Sequence, residues 1–410
     1  MFDLGEETDR LDWYTISHLH YVQELCAFDG VYNEPIDSLP TELLQEIMVL
    51  TPDPFNVVPE KWLATCQRLR SVCSTWRTTV NSTPYLFTKI LIDHKTHLDL
   101  LRLWLPLSGT MNLCIFFSLG RDGDKAAKSY FIGENLVNFV SPYMSRCNEV
   151  FLRGSTYDSA QVLLSALNNL DSGSVRVVNI AAGKTAHITM LPHAFSSSTS
   201  CVQRIVAHRC AILHLPSSLT SLELRNIAPG RCITSPELCA ALSHAPHIKQ
   251  LVAIYVTILY LSRPRMELPS LTSLVIHCST SQEGDIVRAF QLPKLQELEV
   301  QTDEPDIFAD FIKMVSHGPD IACVRLSIYP ASPSQMHDFF TLLPNLHCLH
   351  TSNSNKDLET VIVALVMRWP AIFPRLEQLQ FGEQMKQPTL TDLFHALVSV
   401  SPQCQRCFAD

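Results

Sequence analysis

Leucines alternate with polar residues at recurring intervals through the second half of the chain. A short segment with proline near its start repeats there: LPSSLTSLEL at Leu215, LPSLTSLVI at Leu268, LPKLQELEV at Leu292, LPNLHCLHT at Leu343 and FPRLEQLQF at Phe373. Two degenerate copies are APHIKQLVA at Ala245 and IACVRLSI at Ile321. Apolar residues at every second position predict a strand with one buried face. The first core leucine of each strand is predicted at Leu222, Leu251, Leu274, Leu298, Leu326, Leu349 and Leu379.

Segments with helical periodicity fill the intervals between these strands. They cover residues 236–244, 286–290, 307–315, 335–343, 358–369 and 390–400. A single strand–helix unit cannot bury its own apolar side, whereas stacked units can. The motif L-x-x-L-x-L with a period in the twenties is the signature of leucine-rich repeats. We therefore predict an α/β solenoid over residues 94–410, a horseshoe with parallel inner strands and outer helices.

Weaker copies extend the repeat toward the N-terminus through Val150, Val178 and Ile205. The step from Ile205 to Leu222 spans 17 residues, which is too short for a helix and predicts a loop. Residues between the core leucines, such as Glu223 and Arg225, are predicted to lie on the inner face of the sheet. Such a broad and varied face suits the recognition of a protein surface.

Residues 35–93 follow a helical pattern of a different kind. An apolar stripe opens this segment, after Asp37 or Ser38 as the helix cap; its members are Leu39, Leu43, Leu44 and Ile47. A second helix is predicted from about Glu60 to Val80, followed by an apolar strand at residues 90–92. Residues 1–34 are predicted to form a separate amphipathic lead with one helix.

The segment from Ser38 to Ile90 resembles an F-box in three ordered blocks. SLPTELLQEIM gives the opening, VCSTWR the middle and PYLF the end. The longer, proline-rich link at residues 51–59 is similar to the fungal, mushroom-type variant. The resemblance implies docking onto the Skp-type adaptor of a cullin–RING ubiquitin ligase. The adaptor-binding positions that it implies are Leu39, Pro40, Leu43, Leu44, Ile47, Leu69, Val72, Cys73 and Trp76. The helical pattern alone favours a plain three-helix packing unit whose apolar stripe is internal core; the three ordered blocks favour the F-box instead.

Composition narrows the classes of protein to consider. The formal net charge is −9, which argues against a nucleic-acid binder because such proteins present a basic face. The 14 cysteines are scattered within apolar segments, as is typical of a reducing compartment. No apolar run approaches the roughly 20 residues that span a bilayer. We expect an intracellular protein of the cytoplasm or nucleus.

Side chains that could support chemistry form no recognisable site in the sequence. Cys201, His208, Cys210 and His214 offer four metal ligands, but their spacing matches no zinc pattern. The pairs His94/His97 and Cys404/Cys407 lack further ligands nearby, and no Gly-x-Ser-x-Gly elbow is present. We expect no catalytic residues, no metal and no cofactor.

The sequence therefore predicts a non-enzymatic adaptor. Its F-box-like module would bind a Skp-type subunit, and its repeats would bind a protein target for ubiquitination. The alternative is a leucine-rich-repeat interaction scaffold independent of ubiquitination, with the first module as a cap on the horseshoe. A hydrolase would require a deep site that holds Ser or Cys beside His.

Overall fold

The computed structural model describes most of the chain between residues 39 and 380. The described residues are 39–50, 59–93, 98–119, 139–154, 174–182, 190–191, 201–212, 214–227, 233–259, 265–316, 320–328, 332–351, 361–365 and 372–380. The chain forms two compact units, Met1–Leu86 and Phe87–Asp410. The bounds 1–34, 35–93 and 94–410 stay a prediction. The predicted lead, the 51–58 link, the cap at 37 or 38, His94, His97, the helix at 390–400, Cys404 and Cys407 lie outside the described residues.

The first unit contains three short helices: α1 (Thr41–Leu50), α2 (Pro59–Ser71) and α3 (Ser74–Asn81). Apolar side chains at helical spacing pack into one small core. The core residues are Leu44, Met48, Trp62, Cys66, Leu69, Val80 and Leu86. The indole nitrogen of Trp62 donates a hydrogen bond to the Leu86 carbonyl at 2.9 Å. This bond ties α2 to the chain that follows α3.

The single helix predicted from Glu60 to Val80 is wrong, because the chain breaks at Val72 and Cys73. The Ser71 hydroxyl bonds back to the Arg68 carbonyl at 2.7 Å, where α2 ends. Cys73 has an extended backbone and is the N-cap of α3. Its Sγ accepts a hydrogen bond from the Trp76 amide at 3.5 Å. A thiol is a weak cap acceptor, which explains why the helical pattern gave no sign of the break.

The second unit is an α/β solenoid built on one parallel sheet of twelve strands, and every strand pairs with the next one along the chain. The strands are β1 (Lys89–Asp93), β2 (Leu113–Leu119), β3 (Cys147–Gly154), β4 (Val177–Ala182), β5 (Arg204–His208), β6 (Ser221–Ile227), β7 (Gln250–Val256), β8 (Ser273–Cys278), β9 (Glu297–Thr302), β10 (Cys323–Ile328), β11 (Cys348–Thr351) and β12 (Gln378–Gln380). Strand order that equals chain order is the expected result of stacking serial repeats. The predicted fold class is confirmed.

Helices and core side chains lie on one face of this sheet. The α-helices of the unit include α4 (Leu98–Leu107), α5 (Ser235–Ser243), α6 (Ser281–Gly284), α7 (Ile286–Ala289), α8 (Pro305–Val315) and α9 (Pro333–Thr341). Residues 361–365, within the helix predicted at 358–369, are also helical. Thr234 and Glu237 form a capping box that starts α5, and Ser332 with Gln335 does the same for α9. One continuous core runs from Ile90 to Leu379. The opposite face of the sheet, called the open face below, carries the alternate strand residues.

The strand register confirms most of the predicted repeat and corrects one unit. Leu222, Leu251, Leu274 and Leu298 pair in sequence across the sheet. Leu298 then pairs with Val324 rather than with the predicted Leu326. Val324 in turn pairs with Leu349, and Leu349 pairs with Leu379. In the copy IACVRLSI both Val324 and Leu326 are core residues. Choosing the leucine as the first core position was therefore wrong, because Val324 occupies that position.

The N-terminal extension of the repeat is confirmed. Val150 pairs with Val178, Val178 with Ile205, and Ile205 with Leu222. The described residues between β5 and β6 contain a two-residue strand, Ala211–Ile212, and no helix. Two further strands, β1 and β2, precede the predicted copies in the same sheet.

Candidate protein-binding surfaces

Helix α1 presents two apolar faces, of which only one is buried in the first unit. Leu44 and Met48 are 1% and 0% exposed. Leu43, Ile47 and Leu50, spaced four and three residues apart, are 48%, 43% and 73% exposed. Residues at that spacing lie on one side of a helix. We call the exposed set, Leu43, Ile47 and Leu50, the α1 apolar face. It lies beside the buried set on the helix, because its members are displaced from the buried residues by about one position in the sequence.

A further apolar side chain is exposed on this unit next to the start of α3. Val72 is 56% exposed at the break between the two helices. Cys73 and Trp76 are half-buried, whereas Leu69 is 8% exposed and belongs to the core.

The nine residues of the predicted adaptor site therefore fall into two groups. Leu44 and Leu69 are core residues that position the helices. The others reach the surface at least in part: Leu39, Pro40, Leu43, Ile47, Val72, Cys73 and Trp76. The role of this set in binding an adaptor stays a prediction.

The open face of the sheet is apolar at its N-terminal end. The rings of Phe116 on β2 and Phe151 on β3 are stacked, with centroids 4.3 Å apart and planes 10° from parallel. Leu91 on β1 pairs with Phe116 in the strand register. Phe116 and Phe151 are only half-buried. The solvent-exposed parts of their rings supply aromatic area of the kind that dominates protein interfaces.

Charged side chains replace the aromatic rings along the middle of the open face. Arg204 and Arg225 both form ion pairs with Glu223, the first at 3.2 Å. Three strands further on, Glu299 accepts a hydrogen bond from His277 at 3.0 Å and pairs with Arg325 at 3.4 Å. The hydrogen bond from His277, aided by Arg325, holds the pKa of Glu299 below its ordinary value. The open face thus offers both signs of charge beside an aromatic patch.

Cys201, His208, Cys210 and His214, the four possible metal ligands whose spacing matched no zinc pattern, form no metal-ligand group among the described residues. Cys201 is exposed, whereas Cys210 lies in the core, where burial raises the pKa of its thiol to about 12. The Cys210 thiol donates to the Ile180 carbonyl at 3.8 Å. The His208 Nε2 atom lies 2.8 Å from the Asn226 side-chain amide. Of these four side chains, Cys210 packs in the core of the repeats.

A different group of soft ligands is present at the C-terminal end of the open face. Sγ of Cys323, Sγ of Cys348 and a ring nitrogen of His350 lie within 4.8 Å of one another. This group was not predicted from the sequence, because Leu326 was aligned with Leu349. The observed register pairs Val324 with Leu349, which places Cys323 directly opposite Cys348. With that register, the residue before the first core position is cysteine in both repeats, which is the sequence signal for the pair.

A cavity of about 250 Å³ lies beside the two-residue strand pair formed by Met266–Glu267 and Phe290–Gln291. Its lining contains neither serine, cysteine nor histidine; the residues are Arg265, Glu267, Phe290, Gln291, Leu292, Pro293 and Met314. This cavity therefore does not provide the Ser–His or Cys–His pair that a hydrolase would require.

Comparison with known proteins gives no family for the chain. No protein-family model matches it, and no curated protein matches its sequence. A solved structure of a TLR13 complex with single-stranded RNA is similar over 58% of this chain and 39% of its own, at 15% identity and a TM-score of 0.37. A Bacteroides fragilis protein is similar over 68% of this chain and 83% of its own, at 12% identity and a TM-score of 0.32.

This chain spans well under half of the TLR13 chain. Both TM-scores are too low to bear on function. The assignment as a leucine-rich-repeat solenoid rests on the chain's own strand order, register and repeat spacing. Among the described residues, no helix is long and apolar enough to cross a membrane.

Proposed function

We propose that this protein is a substrate-recruiting adaptor of a cullin–RING ubiquitin ligase. In this proposal the first unit binds a Skp-type subunit, the repeats bind a protein target, and the chain itself performs no bond chemistry. The observation that carries the proposal is the α1 apolar face, because a small helical unit leaves three large aliphatic side chains outside its core. The F-box-like sequence blocks around this face supply the identity of the partner.

The energetics of the α1 apolar face favour a protein partner. Full burial of a leucine or isoleucine side chain stabilises a complex by about 1.5–3 kcal/mol. Leu43 and Ile47 are nearly half exposed in the chain alone, so a partner can still cover a substantial part of each. Val72 at the start of α3 would extend the same contact if the adaptor reaches across the unit.

The open face of the sheet supports the target-binding half of the proposal. Aromatic area near Phe116 and Phe151 and ion pairs around Glu223 and Glu299 combine the two kinds of group that protein interfaces use. A wide sheet surface of this kind fits a folded or extended protein better than a small molecule, which requires an enclosing cavity. We expect the adaptor to act in the cytoplasm or nucleus.

The test is a co-purification of the full chain with Skp-type adaptors, comparing the wild type with the Leu43→Asp/Ile47→Asp variant. We expect the double variant to lose stoichiometric adaptor, because two carboxylates cannot be desolvated in an apolar contact without a large penalty. Leu103→Asp is the matched control, since Leu103 on α4 is 65% exposed in the other unit. It makes the same chemical change and is expected to retain the adaptor.

Circular dichroism of each variant establishes that folding is unchanged. Equal adaptor recovery with the wild type and the double variant would exclude the α1 apolar face as the docking surface. If the wild type recovers no Skp-type subunit but captures other proteins through its repeats, the chain is a scaffold independent of ubiquitination.

A further inference from the structure

Three soft metal ligands converge on two neighbouring strands of the open face. Cys323 starts β10, and Cys348 starts β11 directly opposite it in the parallel register. His350 lies two residues after Cys348, so its side chain emerges on the same side of the sheet. The two sulfur atoms and one imidazole nitrogen lie within 4.8 Å of one another, and all three residues are half-buried.

We propose that Cys323, Cys348 and His350 bind a zinc ion. Two thiolates and one imidazole are a ligand set that zinc prefers, at bond lengths of about 2.3 Å to sulfur and about 2.0–2.1 Å to nitrogen. Tetrahedral geometry with those bonds places neighbouring ligand atoms about 3.5–3.8 Å apart. The observed spacing is within about 1 Å of that value, so small side-chain rotations on fixed strands complete the site.

Neighbouring side chains orient the proposed ligands. Oε1 of Gln380 lies 2.7 Å from Nδ1 of His350. A neutral imidazole that donates its Nδ1 proton to this oxygen keeps the Nε2 lone pair for the metal, which is how protein zinc ligands are commonly held. The Cys348 thiol donates to Oε1 of Gln378 at 3.5 Å. Both glutamines come from β12, so the next repeat supplies the outer shell of the site.

The local charges tolerate a divalent cation. Glu297 pairs with Cys323 across the sheet, and Arg325, which lies opposite His350 in the register, forms an ion pair with Glu299. Binding balances as follows: two thiols and one neutral imidazole take up one zinc ion and release two protons, so the bound site is electrically neutral. Three protein ligands leave a fourth position for water on the open face.

Metal binding here does not depend on adaptor binding, because Cys323, Cys348 and His350 belong to the second unit and the exposed residues of the proposed adaptor site belong to the first. The probe is cobalt(II), whose bonds to thiolate absorb light in the near ultraviolet while zinc is silent. We expect the reduced full chain to develop this absorption and to saturate at one cobalt per chain. Zinc should displace the cobalt, and about two protons should be released per ion.

Single-residue variants assign the absorption to these ligands. Cys323→Ser and Cys348→Ser are each expected to abolish the thiolate band at one equivalent of cobalt, and His350→Gln to weaken binding by more than about 100-fold. Cys201→Ser is the matched control, because Cys201 is an exposed cysteine outside the cluster. It should bind like the wild type, and far-ultraviolet circular dichroism should show all four variants folded.

Two results would overturn the proposal. One is a reduced wild type without a thiolate–cobalt band. The other is a band that persists unchanged in both Cys323→Ser and Cys348→Ser, which would place the metal on other cysteines. Treatment of the wild type with an added two-electron oxidant converts two facing thiols to a disulfide; loss of the band with a mass lower by two hydrogen atoms, and recovery of the band on reduction, would support these thiols as its source.

Discussion

His208 shows how burial and neighbouring cations set the charge of one side chain on the open face. Desolvation is the largest cause that lowers the pKa of its imidazole from 6.5, and Arg209 and Arg225 lower it further. The Asn226 side-chain amide lies 2.8 Å from Nε2 of His208. A neutral ring can accept a hydrogen bond there, whereas a protonated ring cannot. The neutral form is therefore the one that this site stabilises.

The lowered pKa of His208 predicts a loss of stability at mildly acidic pH. Above 6.5 the ring is neutral in both the folded and unfolded chains and contributes no pH dependence. As the pH falls below 6.5, the unfolded chain binds the proton first, so the free energy of unfolding decreases until the folded ring is also protonated. His208→Gln should remove this part of the acid sensitivity, as measured by urea denaturation across that pH range.

Selective carbon-13 labelling of histidine permits a direct check by NMR. We expect the His208 titration midpoint below 6.5, and we expect Arg225→Gln to raise it, because one repelling charge is removed. Arg375→Gln is the control, since Arg375 is an exposed cation near β12 and should leave the midpoint unchanged. A midpoint at or above 6.5 in the wild type would contradict the assignment of a neutral ring.

At the scale of the element, helix α1 separates its folding residues from its proposed binding residues. Leu44 and Leu43 are adjacent in the chain, yet Leu44 is 1% exposed and Leu43 is 48% exposed. Leu44→Ala should lower the free energy of unfolding of the first unit by about 2–5 kcal/mol, because it leaves a cavity. Leu43→Ala should change it by less than about 0.5 kcal/mol. Hydrogen exchange of the backbone amides of α1, α2 and α3 measures both.

Adaptor binding should respond in the opposite order. Leu43→Ala is expected to weaken binding of the Skp-type subunit, while the fraction of Leu44→Ala that remains folded should bind normally. Equal losses of stability in the two variants would show that α1 has no separate exposed face.

The elements also show which parts of the fold the sequence could predict. All twelve strands of the main sheet were visible as repeat copies or apolar runs, β2 as the apolar run at residues 112–119, because strands in a solenoid repeat the same burial pattern. The break at Cys73 was not visible, since a thiol replaces the usual Ser, Thr, Asp or Asn cap. The offset between Val324 and Leu326 was hidden for another reason. Both residues are in the core, so only pairing with β9 and β11 decides which one is equivalent to Leu349.

How much of each candidate surface could be predicted depended on how far its residues are set by tertiary packing, which the sequence pattern does not give. Helical spacing identified the apolar residues of α1, but it did not separate exposed Leu43 from buried Leu44, because their positions differ by one residue on the helix. That distinction depends on where α2 and α3 pack. The Cys323, Cys348 and His350 group required the correct strand register, since its members come from two repeats and are distant in the sequence.

At the scale of the whole molecule, neighbouring repeats are coupled through a row of buried aromatic rings. Phe308 on α8 contacts Phe339 on α9 with centroids 5.0 Å apart, and Phe340 contacts Phe373 at 5.0 Å. Phe339 and Phe340 are themselves 5.4 Å apart. All four rings are at most 1% exposed. The row therefore joins three successive repeats, and repeat proteins depend on such interfaces because each unit contacts only its neighbours.

Phe340→Ala should destabilise the C-terminal repeats more than the rest of the sheet. The expected loss is about 3–5 kcal/mol for a buried phenylalanine. Hydrogen exchange should show reduced protection in β11 and β12, which flank the lost contact, while β2 and β3 keep theirs, because coupling between repeats weakens with distance along the stack. Phe116→Ala is the control: its half-buried ring lies on the open face, so the C-terminal strands should keep their protection. Equal loss of protection in all twelve strands of the Phe340→Ala variant would mean that the solenoid unfolds as one cooperative unit rather than repeat by repeat.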